Sequence, residues 1–87
     1  MADKKPFLYT LSTCVHCSNT KDFLMECGVD YDFVDVDQLQ GDDRQQIIDQ
    51  LKKFNPALSF PTILIDDGDT VIVGFKKEDL KKALEIQ

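Results

Sequence analysis

Hydrophobic and polar positions divide the 87-residue chain into seven alternating segments. "PFLYTL" (6–11) has the β-branched, aromatic and aliphatic content of a strand, and the Ser12-Thr13 pair after it offers hydroxyls suited to capping a helix. From about Cys14 or Val15 to Cys27, Thr20, Phe23, Leu24 and Cys27 recur at helical spacing, and Gly28 is the natural stop because it tolerates a positive φ. "YDFVDVD" (31–37) sets Tyr31, Phe33 and Val34 or Val36 among aspartates, the period-two pattern of a strand. "GDDRQQIIDQLKKF" (41–54) predicts a second helix with Asp42 or Asp43 near its positive end and Ile47, Ile48, Leu51 and Phe54 as its buried stripe. "NPALSFP" interrupts the chain. "TILI" (62–65) and "TVIV" (70–73), joined by the turn signal "DDGD", predict an antiparallel pair. A last helix over 76–86 would turn Leu80, Ala83, Leu84 and Ile86 inward.

The order β-α-β-α-β-β-α opens with a strand, helix and strand, which demands a right-handed parallel crossover. The expected fold is therefore α/β, a four-stranded mixed sheet with helices on both faces, as in the thioredoxin-like arrangement. Its functional site should lie where the carboxyl end of the first strand meets the first helix. The length suits one domain spanning 1–87, with no repeat or linker to divide it.

Composition narrows the function. With 10 basic against 16 acidic residues the formal charge is −6, which argues against a nucleic-acid partner. The aspartates at 30, 32, 35, 37, 42 and 43 read as a solvated surface. No apolar run approaches a membrane span and the start carries no targeting core, so a cytoplasmic monomer is expected.

Chemistry concentrates in "TCVHC". Cys14 at the helix start and Cys17 one turn later share an edge at a separation a disulfide tolerates, and in a reducing compartment such a pair points to redox chemistry. The positive end of the helix favours a thiolate at Cys14, while Cys17, further inside, keeps its proton longer. Cys14 is thus the expected nucleophile and Cys17 the resolving thiol. His16, the one histidine, could stabilise a thiolate and make the disulfide more oxidising. Cys27 reads as a small core residue. A zinc site would need four ligands where the chain offers one close pair, so no metal is assigned; an iron-sulfur cluster or zinc ion held by the same cysteines between two chains is the competing reading. Reduction of small oxyanions is disfavoured because Arg44 is the sole arginine. Phe60-Pro61-Thr62 places a proline at a strand start; were it cis, its turn could approach the cysteines and leave the Phe60 main chain open to a substrate strand.

With Cys14-Val15-His16-Cys17, Pro61 before a strand and "VGF" before the last helix, the chain resembles the glutaredoxins over nearly its whole length. That resemblance implies a thiol-disulfide oxidoreductase with Cys14 and Cys17 catalytic, Pro61 the cis-proline, and Thr13, Val15, Phe60, Gly74 and Phe75 lining the substrate groove. Glutathione-dependent members often carry a basic residue where this chain has Leu11 and Gly-Gly where it has Gly74-Phe75. "CVHCSNTK" and "VGFKKEDL" look closer to the NrdH redoxins, electron donors of ribonucleotide reductase, although His16 replaces their usual Gln. "LQGDDRQQIIDQLKKFNPALSFP" is similar to glutaredoxin-like proteins of anaerobic prokaryotes. The implied partners are disulfide-containing proteins, ribonucleotide reductase among them, and a reductase. Electrons would come from a thioredoxin-reductase-like or ferredoxin-linked enzyme, or from glutathione, with no bound cofactor.

Overall fold

The computed structural model describes residues 5–65 and 68–84. Strand β1 (Phe7–Thr10) leads into helix α1 (Val15–Glu26), strand β2 (Asp32–Asp35), a single 3-10 turn (Val36–Gln38) and helix α2 (Gly41–Phe54). Strands β3 (Thr62–Ile65) and β4 (Thr70–Val73) and helix α3 (Lys77–Leu84) complete the chain. The sheet order is β2-β1-β3-β4, with β1 and β2 parallel and the other neighbours antiparallel, which is the mixed thioredoxin-like sheet expected from the element order.

Alternation along the central strands splits the apolar residues between two faces. Leu8, Ile63, Ile65 and Ile72 form one face with Phe23 and Leu24 of α1 and Leu80 of α3, and Cys27, Ala83 and Leu84 pack against that cluster. Tyr9 and Leu64 form the other with Leu51 of α2, joined by Ile47 and Phe54. Helices therefore cover both faces. Leu8, Leu24, Leu51, Ile63 and Leu80 are fully buried, and each such side chain contributes about 1.5–3 kcal/mol of hydrophobic stabilisation. On α2 the expected stripe is centred on Leu51, with Ile47, Ile48 and Phe54 half-buried.

Two local expectations need correction. The 31–37 alternation does not continue as a strand: β2 ends at Asp35, opposite Thr10, the last residue of β1. Beyond that point the edge has no partner to pair with, so the chain winds into the 3-10 turn and buries Val36 instead. Nor do Ser12 and Thr13 cap α1. Cys14 is itself the N-cap, with its sulfur accepting the Cys17 N–H at 3.2 Å. At the other end α1 stops at Glu26, with Cys27 as its C-cap and Gly28 at φ +73° in the left-handed region. Ile86 and the Asp66-Asp67 half of the "DDGD" turn lie outside the described residues.

The register brings four chain segments to one end of the sheet. Thr10 lies opposite Asp35 in β2, and Thr62 lies opposite both Tyr9 in β1 and Val73 in β4. The residues leaving or entering at that end are 11–14, 36–38, 60–61 and 74–75.

Candidate redox site

Leu11 to Cys14 turn sharply from β1 into α1, with the Cys14 N–H donating to the Leu11 carbonyl at 3.1 Å. This places Cys14 half-buried at the first turn of the helix and Cys17 behind it at 1% exposure. Both thiols are free. Burial, with the hydrogen bond and charge of Cys14 adding to it, pushes the Cys17 thiol up to about 12. A backbone hydrogen bond from Leu11 and the Lys21 charge act in the opposite direction without cancelling it. The two sulfurs therefore differ in the way expected of an attacking and a resolving thiol: one is reachable from solvent, the other enclosed and protonated.

The loop that delivers Cys14 is braced from the 3-10 turn. Asp37 accepts the Ser12 N–H at 2.9 Å on one oxygen and the Ser12 hydroxyl on the other, and the Gln38 side-chain amide donates to Ser12 Oγ at 3.1 Å. These bonds from Ser12 hold the Asp37 carboxyl below its usual range. Beneath them a second polar group fills the gap between β1, β2 and α1. Thr10, fully buried, donates from its hydroxyl to Asp35, and Lys21 of α1 reaches the same Asp35 oxygen at 3.4 Å. The Lys21 ammonium also lies 3.8 Å from the centroid of the Phe33 ring.

On the other side of the cysteines, the Phe60–Pro61 peptide bond is cis, and Pro61 is buried. The Pro61 carbonyl accepts the Gly74 N–H at 2.8 Å, tying the entrance of β3 to the exit of β4. Gly74 sits at φ +88° with open space where a Cβ would project, so it is its backbone conformation that favours glycine. The 55–61 loop hangs on Asn55. Its amide donates to the Ser59 carbonyl and hydroxyl and, at 3.0 Å, to Thr62 Oγ1, while its carbonyl accepts the Ala57 N–H. Thr62 in turn donates to the Ser59 carbonyl at 2.8 Å.

Of the residues singled out from the sequence, Cys14, Cys17, Thr13, Val15, Pro61 and Gly74 all lie at this end of the molecule. Val15 is an exposed apolar side chain at 69% exposure, next to Cys14, and Thr13 is exposed too. Phe60 leans away onto the α2-side cluster, and Phe75 packs edge-on against Phe23 of α1 at 5.9 Å between ring centroids. His16 is exposed, and among the described residues its imidazole makes no hydrogen bond. Asp35, Asp37 and Asn55 were not foreseen as parts of the site. Among the described residues no cluster of three or more His, Cys, Asp or Glu could hold a metal ion, and no helix is long and apolar enough to cross a membrane.

Comparison with known proteins agrees with this geometry. The family model described as glutaredoxin matches residues 7–71. A glutaredoxin from Methanosarcina mazei superposes with a TM-score of 0.86 at 41% identity, over 94% of this chain and 79% of that one. The methanoredoxin of Methanosarcina acetivorans gives 0.87 at 41% identity, over 94% and 85%. An uncharacterized glutaredoxin-like 8.6 kDa protein in a rubredoxin operon of Clostridium pasteurianum is 32% identical over 90% of this chain and 95% of its own length.

Proposed function

The chain belongs to the glutaredoxin family, and from that premise we propose that it is a dithiol oxidoreductase that reduces protein disulfides with electrons drawn from a reductase. The observation that carries the proposal is the unequal burial of Cys14 and Cys17 at the start of α1. The Cys14 thiolate attacks one sulfur of a target disulfide, forming a mixed disulfide and releasing the other sulfur as a thiolate. Cys17 then loses its proton to solvent and attacks Cys14 Sγ. The Cys14–Cys17 disulfide closes and the second target thiolate departs, so two electrons have passed to the target.

Access to Cys14 runs past exposed Val15 and Thr13, and the cis-Pro61 turn and Gly74 complete a groove suited to an extended peptide. Leu11 in place of a basic residue removes one partner for a glutathione carboxylate, which favours a reductase over glutathione as donor. The clostridial relative in a rubredoxin operon is in keeping with a supply from an electron-transfer reductase, ferredoxin-linked or thioredoxin-reductase-like, and the NrdH-like "CVHCSNTK" and "VGFKKEDL" extend the target class to ribonucleotide reductase. A cytoplasmic setting follows from the need to keep the dithiol reduced between turnovers.

The decisive experiment equilibrates the protein in a graded glutathione redox buffer and follows the thiols by alkylation and intact mass. A two-electron loss with an internal Cys14–Cys17 disulfide is expected, and a persistent glutathione adduct on Cys14 would reassign the donor. With a protein disulfide as substrate, Cys14→Ser abolishes turnover and Cys17→Ser accumulates the mixed disulfide. Full activity in Cys14→Ser would sink the assignment.

A further inference from the structure

The resolving step poses a problem that the cysteines alone do not solve. Cys17 is enclosed, and its thiol must shed a proton before it can attack, yet desolvation opposes the charge that forms. Lys21 follows Cys17 by four residues on α1, so the two positions share a helix face, and long helical side chains lean back toward the N-terminus. The ammonium is held in place from two sides. It reaches Asp35 Oδ1 at 3.4 Å, where each side chain is 21% exposed, and it lies over Phe33 at 3.8 Å. Asp35 is itself fixed by the hydroxyl of buried Thr10.

We propose that Lys21 is the cation that stabilises the Cys17 thiolate as it forms in the resolving step, and that Asp35 is the positioning residue that keeps it there. The proposal rests on the assignment of Cys17 as resolving thiol. It agrees with the direction in which the Lys21 charge acts on Cys17, against that of burial. The other titratable groups around this thiol are Cys14 at the N-cap, His16 on α1 with its exposed imidazole, Asp35 at the end of β2 and exposed Asp37 in the 3-10 turn. Pro61 and Gly74, from the β3 and β4 side, do not titrate. Lys21 is thus the basic side chain that shares a helix face with Cys17 and is held next to β2 by Asp35 and Phe33. The pair with Asp35 leaves it partly desolvated, where a charge is screened less than at the surface.

The test separates the two chemical steps. In a Cys27→Ala background, one equivalent of 5,5′-dithiobis(2-nitrobenzoate) is added to reduced protein in mild acid, and the Cys14 adduct is then jumped to higher pH. The first thionitrobenzoate reports attack by Cys14, and the second reports closure by Cys17. Lys21→Met, which keeps an apolar stem over Phe33, slows the second release by about 3- to 10-fold at neutral pH, because thiolate fraction falls tenfold for each unit by which the thiol's pKa rises. Its pH profile moves to higher pH while the first release is unchanged, and Lys21→Arg restores most of the rate. A second release in Lys21→Met that matches the parent across the pH range would overturn the role of Lys21. So would an Arg variant as slow as the Met one, since the charge would then not be the agent. A parent protein that releases a single equivalent would instead overturn Cys17 as the resolving thiol.

Discussion

The loop that delivers Cys14 is tied down on its exposed side by Asp37, whereas the loop that delivers Pro61 is tied down from within by Asn55. Asn55 is 6% exposed and makes side-chain hydrogen bonds to Ser59, Thr62 and Ala57; Asp37 is open to solvent and bonds to Ser12 alone of the residues preceding Cys14. A buried network gains from low local dielectric and is costly to break, because a group left behind cannot turn to water. An exposed carboxylate loses little on release, since water takes over its hydrogen bonds. One side of the redox groove should therefore be rigid, and the other adjustable by conditions.

Asn55→Ala is the change that tests the rigid side most severely. It removes every one of those bonds and leaves Ser59 and Thr62 without their shared donor, so a loss of about 2–3 kcal/mol is expected from equilibrium denaturation. The groove should suffer as well. The KM for a protein disulfide rises because the Pro61 turn is displaced, while attack on a small aromatic disulfide, which needs Cys14 alone, keeps its rate. Equal loss with both substrates would mean that the loop supports the helix and not the groove.

The two braces also differ in how far they could be foreseen. The helices, the strands and the cysteine pair were legible because each depends on short-range rules: apolar periodicity for α2 and α3, β-rich runs for β3 and β4, and the spacing of Cys14 and Cys17 at a helix start. Asn55 sits in "NPALSFP", which reads as a chain break because its partners Ser59 and Thr62 acquire meaning only once β3 is paired with β1. Asp35 and Asp37 were hidden in an aspartate-rich run that reads as surface. What sets them apart from Asp30 or Asp42 is the parallel pairing that carries residue 35 to the end of β1 and residue 37 to Ser12, a long-range fact. The misplaced end of β2 has the same origin: alternation continued through Val36, but the neighbouring strand did not.

Within the rigid loop, Thr62→Val separates one bond from the rest. Valine keeps the branched shape at the start of β3 but can neither accept from Asn55 nor donate to the Ser59 carbonyl, so about 1 kcal/mol of stability is lost. Combined with Asn55→Ala, the loss should fall short of the sum of the two, since both variants remove the same hydrogen bond. Strict additivity in the double-mutant cycle would show that Asn55 acts through Ser59 and Ala57 alone.

The adjustable side is tested by pH. Ser12 holds the Asp37 carboxyl below its ordinary value of 3.8, through its hydroxyl first and its backbone N–H second. A carboxyl depressed in the folded state adds stability above its unfolded value, and that contribution disappears as pH falls through the depressed folded value. Asp37→Asn should therefore be slightly less stable than the parent at neutral pH, and the two thermal midpoints should converge as the solution is acidified below the ordinary carboxyl range. Full exposure makes this the smallest of the expected effects, and added salt should shrink it further. A gap that persists undiminished into acid would show that Asp37 holds Ser12 by shape and hydrogen bonding independent of its charge, and both sides of the groove would then be braced by the same kind of neutral contact.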